Sequence, residues 1–289
     1  MIPHTIPAVW PDTPSSRFAS LLRETPTDSA RIALIGIPDD MGVRMNGGRP
    51  GAAQGPGALR AALAKYGARE PAMNSWPRVC DAGDIVPGGS LDETHERVTL
   101  ATSALLDHGL FPIAIGGGHD LTFAFVRAVA QRHPPMTGVY FDAHLDVRAE
   151  PGSGMPFRAL IEECNVRALH VHGLDVFSNS TEHAAYFAAH GGRIDPCNSD
   201  DPWPSGDLFV SLDLDVIDAA HAPGVSAMNP CGWSPAQCER WVRAAAACER
   251  VRCFDIMELN PEHDEGGRTA RLAARLLLVF LAAFAERES

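Results

Sequence analysis

Short apolar runs alternate with longer amphipathic stretches along most of this chain. From residue 31 onward the pattern predicts buried strands at 32–36, 111–115, 137–141, 166–171, 208–212 and 251–257. Helical periodicity predicts helices at 58–66, 91–108, 121–132, 156–163, 182–189, 235–248 and 268–285. Strands that alternate with helices of this length are typical of a mostly parallel sheet covered on both faces. The expected fold class is therefore α/β, a three-layer α/β/α arrangement.

The ends of the predicted elements carry weaker signals. A short strand is predicted to end near 81–84, Asp92 is the expected cap of helix 91–108, and Gly109 is expected to end that helix. Residues 1–29 are rich in Pro, Ser and Thr and lack periodicity, so they are expected to form an irregular arm. No repeat or linker interrupts the rest, so we expect residues 1–289 to form a single domain.

Three of the predicted strands end in residues that commonly bind metal ions. These residues are His119, Asp142, His144, Asp146, Asp213 and Asp215. The three at 142–146 occupy alternate positions, so an extended segment would present them on one side. Binding sites in open parallel sheets form at the carboxyl ends of the strands, so we expect all six side chains to lie together.

This ligand set predicts a site for two divalent ions. Four carboxylates and two imidazoles exceed the roughly four ligands that one zinc ion needs, and neighbouring carboxylates repel each other unless a cation holds them. The oxygen-rich set favours manganese, with iron, cobalt or zinc as alternatives. The glycines at 116–118 lack the Lys-Ser/Thr of a phosphate loop and the spacing of a dinucleotide fingerprint.

Composition narrows the possible functions. The net charge of -12 argues against nucleic-acid binding, which needs a basic face. The most apolar stretch, 276–285, is too short to cross a membrane. Seven cysteines without a Cys-x-x-Cys pair, and no signal peptide, predict a reducing cytoplasmic location with free, buried thiols.

The motifs together resemble those of the ureohydrolase superfamily, which includes arginase, agmatinase and formimidoylglutamase. Gly-Gly-Gly-His at 116–119, Asp-Ala-His-Leu-Asp at 142–146 and Ser-Leu-Asp-Leu-Asp at 211–215 resemble its three metal motifs. Segments 49–56 and 255–261 resemble its first glycine-rich element and its last active-site strand. The resemblance covers most of the chain and implies an arginase-like fold.

The resemblance also implies roles for the ligands. Asp142 and Asp213 are expected to bridge the two ions, which would share a hydroxide. The other ligands are expected to form two pairs, one per ion: His119 with Asp146, and His144 with Asp215. Asp120 is expected either to orient a ligand or to cap helix 121–132.

The residues after the second motif point to a substrate. Arginase and agmatinase carry a proton-shuttling histidine in a Ser-Gly-x-x-His-Gly segment, and Phe157 stands at that place here. The Ser-Gly-x-Pro-Phe pattern at 153–157 resembles formimidoylglutamase instead. The implied activity is hydrolysis of N-formimidoyl-L-glutamate to L-glutamate and formamide, a step of histidine degradation, by a binuclear-metal hydrolase.

Five residues are candidates for binding this dicarboxylate substrate. Arg148 and Arg158 are each expected to bind a carboxylate, unless they form surface ion pairs. Ser153 and Asn179 are candidates for hydrogen bonds to it. By resemblance, the Glu258 carboxylate is expected to hold the cationic formimidoyl nitrogen.

Two other functions remain open from the sequence. One is hydrolysis of a guanidino compound, as in arginase, agmatinase or a guanidino-acid hydrolase. The other is a non-catalytic metal-binding scaffold. Under either enzyme hypothesis the partner is a small molecule, and the family resemblance implies a homo-oligomer, either a trimer or a hexamer.

Overall fold

The computed structural model describes residues 2–22, 30–69, 75–194 and 198–288. Its strands are β1 (Thr5–Ile6), β2 (Ile32–Gly36), β3 (Val79–Ile85), β4 (Phe111–Ile115), β5 (Met136–Phe141), β6 (Val166–His172), β7 (Gly192–Ile194), β8 (Asp207–Asp213) and β9 (Val251–Met257). Within the described residues they form one sheet in the order β1-β3-β2-β4-β9-β8-β5-β6-β7. Only the β1–β3 pair is antiparallel among these neighbours, so the prediction of a mostly parallel sheet is confirmed.

Helices cover both faces of this sheet. They are α1 (Met41–Met45), α2 (Gly55–Leu63), α3 (Leu91–Asp107), α4 (Leu121–Ala130), α5 (Pro156–Glu163), α6 (Thr181–Ala189), α7 (Pro235–Ala247) and α8 (Arg268–Phe284). One apolar core joins the sheet to α2, α7 and α8. A second core joins the opposite face to α3, α4, α5 and α6. The expected three-layer α/β/α fold is confirmed.

The structure departs from the sequence expectations mainly at the ends of elements. Ser90 caps α3 in place of Asp92, because the Ser90 hydroxyl accepts a hydrogen bond from the Glu93 amide at 3.2 Å. Within the predicted irregular arm, Thr5–Ile6 forms an edge strand on β3. The short helix α1 and the edge strand β7 were not predicted. None of the described helices combines the length and the apolarity needed to cross a bilayer.

The cysteines are less uniformly buried than expected. The free thiols of Cys80, Cys238 and Cys253 are buried, Cys164 and Cys248 are half-buried, and Cys231 is exposed. Cys197 lies outside the described residues. The prediction of buried thiols was therefore wrong for Cys231, which lies in a surface turn.

Candidate metal centre

Four neighbouring strands in the middle of the sheet supply the candidate site. In sheet order these are β4, β9, β8 and β5. His119 follows β4, Glu258 follows β9, Asp213 ends β8 and Asp142 follows β5. Since these strands are parallel, their carboxyl ends meet at one edge, and residues distant in sequence converge there.

Glycines 116–118 allow the loop after β4 to enter this crowded edge. A Cβ atom on Gly117 would lie 1.8 Å from the Asp39 carbonyl oxygen, and one on Gly116 would lie 1.8 Å from the Met257 sulfur. The Gly118 amide donates to Asp39 O at 3.0 Å, and the Gly117 carbonyl accepts from the Glu258 amide at 2.9 Å. Close packing between loops therefore accounts for these glycines, and it brings His119 to the site.

The first cluster of candidate ligands surrounds His119. Its Nδ1 lies 3.2 Å from Asp142 Oδ2, 2.9 Å from Asp146 Oδ2 and 3.2 Å from Asp213 Oδ2. One ligand atom from each of the four residues lies within 4.8 Å of the others. A single cation fits among them.

The second cluster shares a residue with the first. His144 Nδ1 lies 3.4 Å from Asp142 Oδ1 and 3.0 Å from Asp215 Oδ2. One ligand atom from each of these three residues lies within 4.8 Å of the other two. Asp142 therefore offers one oxygen to each cluster, whereas Asp213 joins only the first within this distance. The structure thus brings all six predicted ligand residues together.

Burial makes this concentration of carboxylates costly without a cation. Burial raises the pKa of Asp142 to about 6, and the charges of Asp146 and Asp215 act in the same direction. Burial, together with Asp215 and Asp142, raises the pKa of Asp213 well above its ordinary value. His119 Nδ1 and Asp142 Oδ2 lie close to each other, yet neither makes a hydrogen bond within the described residues. Unpartnered buried ligand atoms and mutually repelling carboxylates fit a pair of divalent cations.

A buried hydrogen-bond chain sets the tautomer of His119. The Ser211 hydroxyl donates to Asp255 Oδ1 at 2.6 Å, so its oxygen accepts from His119 Nε2 at 3.0 Å. Thr122 donates to the other Asp255 oxygen at 3.0 Å. With its proton on Nε2, His119 keeps the Nδ1 lone pair for the first cluster.

Two residues of the site have left-handed backbone conformations. Asp146 has φ 47° and Glu258 has φ 67°. Side chains other than glycine rarely adopt this region, so both positions carry backbone strain. Hydrogen bonds hold them there: the Asp146 carbonyl accepts from the Phe157 amide at 3.1 Å, and the Glu258 amide donates to Gly117.

A cavity of about 300 Å³ opens above the ligands. Three of the predicted substrate residues line it: Arg148, Ser153 and Glu258. Glu258 Oε1 accepts from the His119 amide at 2.7 Å, while its buried Oε2 has no partner among the described residues. Burial raises the pKa of Glu258 to about 8, so a cation beside it would favour its charged form.

The other two predicted substrate residues lie elsewhere. Arg158 follows the inward-facing Phe157 on α5 and lines a neighbouring cavity. There it donates to Glu162 at 2.9 Å and lies over the Tyr186 ring. The structure therefore corrects its expected role, because its guanidinium is held in a surface ion pair.

Asn179 also does not line the cavity, and the structure corrects its expected role as well. Its side chain accepts from the Leu145 amide at 2.8 Å and donates to the Ala143 carbonyl at 2.9 Å. It therefore holds the loop that carries His144.

Two further expectations concern residues next to the ligands. Phe157 is fully buried, stacks on Tyr140 with ring centroids 3.8 Å apart, and meets the His119 ring edge-on. This position thus offers no proton-transferring group. Asp120 stands at the N-cap of α4, but its side chain makes no capping hydrogen bond and accepts from His95 at 2.9 Å instead. The capping alternative is therefore wrong for this side chain.

Asn46, Arg49 and Ser226 line the same cavity and were missed as site residues. They lie in loops far from the metal motifs in sequence. The Arg49-Pro50-Gly51 motif gave a family signal, but nothing in it indicates that the arginine faces the site.

The fold, the ligand clusters and the cavity define a metal-dependent member of the arginase family, and the family model matches residues 30–282 of this chain. The chain belongs to that family, which confirms the ureohydrolase prediction. It is 37% identical over 284 residues to the formimidoylglutamase of Aromatoleum aromaticum, with 85% of this chain and 81% of that protein covered.

Two solved structures extend the comparison. Trypanosoma cruzi formiminoglutamase with Mn²⁺ superposes with a TM-score of 0.85 at 29% identity, covering 96% of this chain and 100% of that one. Proclavaminate amidino hydrolase from Streptomyces clavuligerus superposes with a TM-score of 0.84 at 26% identity, covering 95% and 98%.

Proposed function

We propose that this protein hydrolyses N-formimidoyl-L-glutamate to L-glutamate and formamide, and so acts in histidine degradation. The observation that carries the proposal is the convergence of two ligand clusters, which share Asp142, beneath a cavity that also presents the Glu258 carboxylate and two arginine side chains. The similarity to formimidoylglutamases across most of the chain supports this substrate.

In this proposal the six clustered residues hold two divalent ions. Asp142 contributes to both, as the cluster geometry suggests, and Asp213 is the second expected bridge. Such a pair of ions lowers the pKa of a shared water toward about 7 and supplies hydroxide near neutral pH. We propose manganese, because the Trypanosoma cruzi formiminoglutamase was solved with Mn²⁺.

The cavity residues bind the two charged ends of the substrate. The unpartnered Oε2 of Glu258 accepts a hydrogen bond from the cationic formimidoyl nitrogen, and the Arg148 guanidinium binds a carboxylate. Hydrolysis adds one water across the C–N bond: the oxygen goes to the carbon that becomes formamide, and a proton goes to the glutamate nitrogen. We also propose that the protein is a homo-oligomer, in line with the family resemblance, and that it is cytoplasmic, in line with its cysteine content.

The test is a substrate panel with the manganese-loaded protein. We expect the highest kcat/KM for N-formimidoyl-L-glutamate, and much lower values for arginine, agmatine and guanidinobutyrate. The products, glutamate and formamide, are measured directly. Faster turnover of any guanidino compound would contradict the assignment.

Hydrolysis of a guanidino acid is the second candidate, because proclavaminate amidino hydrolase shares this fold at a similar TM-score. The buried Phe157 argues against it, since arginase and agmatinase have a proton-shuttling histidine at that place. A protein that binds two ions per chain and hydrolyses no member of the panel would instead support the metal-binding scaffold.

A further inference from the structure

Arg49 is an unassigned cation in the wall of the metal cavity. It is half-buried and lies just before α2, far in sequence from the metal motifs. Its Nη2 donates to the carbonyls of Pro223, at 3.1 Å, and of Val225. Its Nε donates to the Ser226 carbonyl at 3.4 Å. One edge of the guanidinium is therefore fixed against a single loop.

The charge of Arg49 has no carboxylate partner among the described residues. All three acceptors are neutral carbonyl oxygens, and Nη1 makes no hydrogen bond within the described part of the chain. Nearby arginines differ: Arg44 pairs with Asp40, and Arg60 pairs with Asp81. A guanidinium that is anchored through Nε and Nη2 and has Nη1 free of hydrogen bonds is suited to binding an anion.

A second arginine, Arg148, lines the same cavity from a different loop. It is exposed, and its stem lies against Gly154, where a Cβ atom would come within 2.8 Å of Arg148 Cδ. Asn46 links the two loops, because its Oδ1 accepts from the Gly154 amide at 2.7 Å and from the Ser153 hydroxyl. Ser153 thus already donates its proton to Asn46, which leaves the arginines as the main donors.

We propose that Arg49 binds one carboxylate of the substrate while Arg148 binds the other, so that the cavity selects amidines of dicarboxylic amino acids. This inference rests on the proposed function and assigns to Arg49 the carboxylate-binding role that was expected of Arg158. A substrate with one carboxylate leaves one of the two arginines unpaired. The enzyme then binds the transition state of that substrate less tightly.

The experiment compares the wild type with Arg49→Gln on three substrates. These are N-formimidoyl-L-glutamate, N-formimidoyl-4-aminobutyrate, which lacks the α-carboxylate, and N-formimidoyl-L-2-aminobutyrate, which lacks the γ-carboxylate. We expect kcat/KM for the dicarboxylate to fall about 10- to 100-fold, the loss typical of a charged hydrogen-bond partner. For the analogue that lacks the carboxylate bound by Arg49, we expect a change below about threefold.

Equal losses on all three substrates would show that Arg49 only holds the loop at 223–226, and would overturn the inference while the proposed function stands. If the wild type does not hydrolyse N-formimidoyl-L-glutamate, both fall. Arg158→Gln, outside the cavity, is the matched control and should change no rate constant appreciably. Should Arg49→Gln not fold by circular dichroism, Arg49→Lys takes its place and is judged by the same substrate-dependent difference.

Discussion

A metal ion at the first cluster depends on which nitrogen of His119 carries the proton. The chain from Asp255 through Ser211 keeps that proton on Nε2, as the hydrogen-bond directions require. Ser211 and Asp255 are both fully buried, so water cannot replace the Ser211 hydroxyl if it is removed. The tautomer is therefore fixed by two neighbouring strands, β8 and β9, rather than by the loop that carries the histidine.

Ser211→Ala should accordingly weaken metal binding. We expect the manganese affinity of the first cluster to fall about 10- to 100-fold, the usual cost of removing a hydrogen-bond partner of a metal-binding histidine. Calorimetric titration of the metal-free protein measures it. Ser234→Ala is the control: it removes the cap of α7 at a cost of about 1 kcal/mol in stability but leaves metal affinity unchanged. Equal affinities for wild type and Ser211→Ala would contradict the role.

Single residues also show where sequence reasoning ends. Alternation along one strand was enough to predict Asp142, His144 and Asp146 as neighbours in space. Arg49 could not be predicted, because its position depends on carbonyls 174 to 177 residues away. Arg158 forms the surface ion pair that the sequence left open as its alternative, because the direction of a side chain on a short helix depends on which neighbour is buried.

At the scale of elements, the loop between β4 and α4 is the most constrained connection near the site. Gly117 lies against the backbone of Asp39, which cannot move aside as a side chain could. Helix and strand interiors were predictable from periodicity, and the bounds of α5 and β9 match the predicted 156–163 and 251–257. The edge strands β1 and β7 were not, since two or three residues carry no periodic signal.

Gly117→Ala should displace this loop. We expect a loss of stability of at least about 1–3 kcal/mol from overpacking, together with weaker manganese binding, because His119 moves with the loop. Gly57→Ala is the matched control on α2, where a Cβ atom meets nothing within 4 Å. That change should stabilise the protein by about 0.5–1 kcal/mol. Urea denaturation measures the free energy of unfolding of both variants. A Gly117→Ala protein as stable as the wild type would contradict the close packing of Gly117 against Asp39.

For the molecule as a whole, the site lies at the centre of the sheet. There the order of the strands along the chain no longer follows their order across the sheet. β9 is inserted between β4 and β8, so the last strand of the chain lies beside β4, which is far earlier in the sequence. The centre of the sheet, and with it the ligand edge, is complete only when β9 has joined. Metal binding should therefore report on folding of the whole sheet rather than on one part of it.

Manganese should raise the thermal midpoint of the whole protein. Each ion that binds only the folded state adds about 2.7 kcal/mol of stability at a free concentration one hundred times its Kd. Asp142→Asn should lose most of this shift, since Asp142 contributes to both clusters. Differential scanning calorimetry with and without EDTA measures both effects. A wild-type midpoint that manganese leaves unchanged would contradict metal binding at this site.

The left-handed conformations of Asp146 and Glu258 have a consequence for protein engineering. Glycine relieves such strain by about 1–2 kcal/mol, so a selection for heat resistance of the metal-free protein favours glycine at both positions. Each replacement removes a carboxylate from the cavity. Thermal stability of the metal-free protein and turnover are thus opposed at these two residues. A screen for thermostable variants must therefore also measure activity.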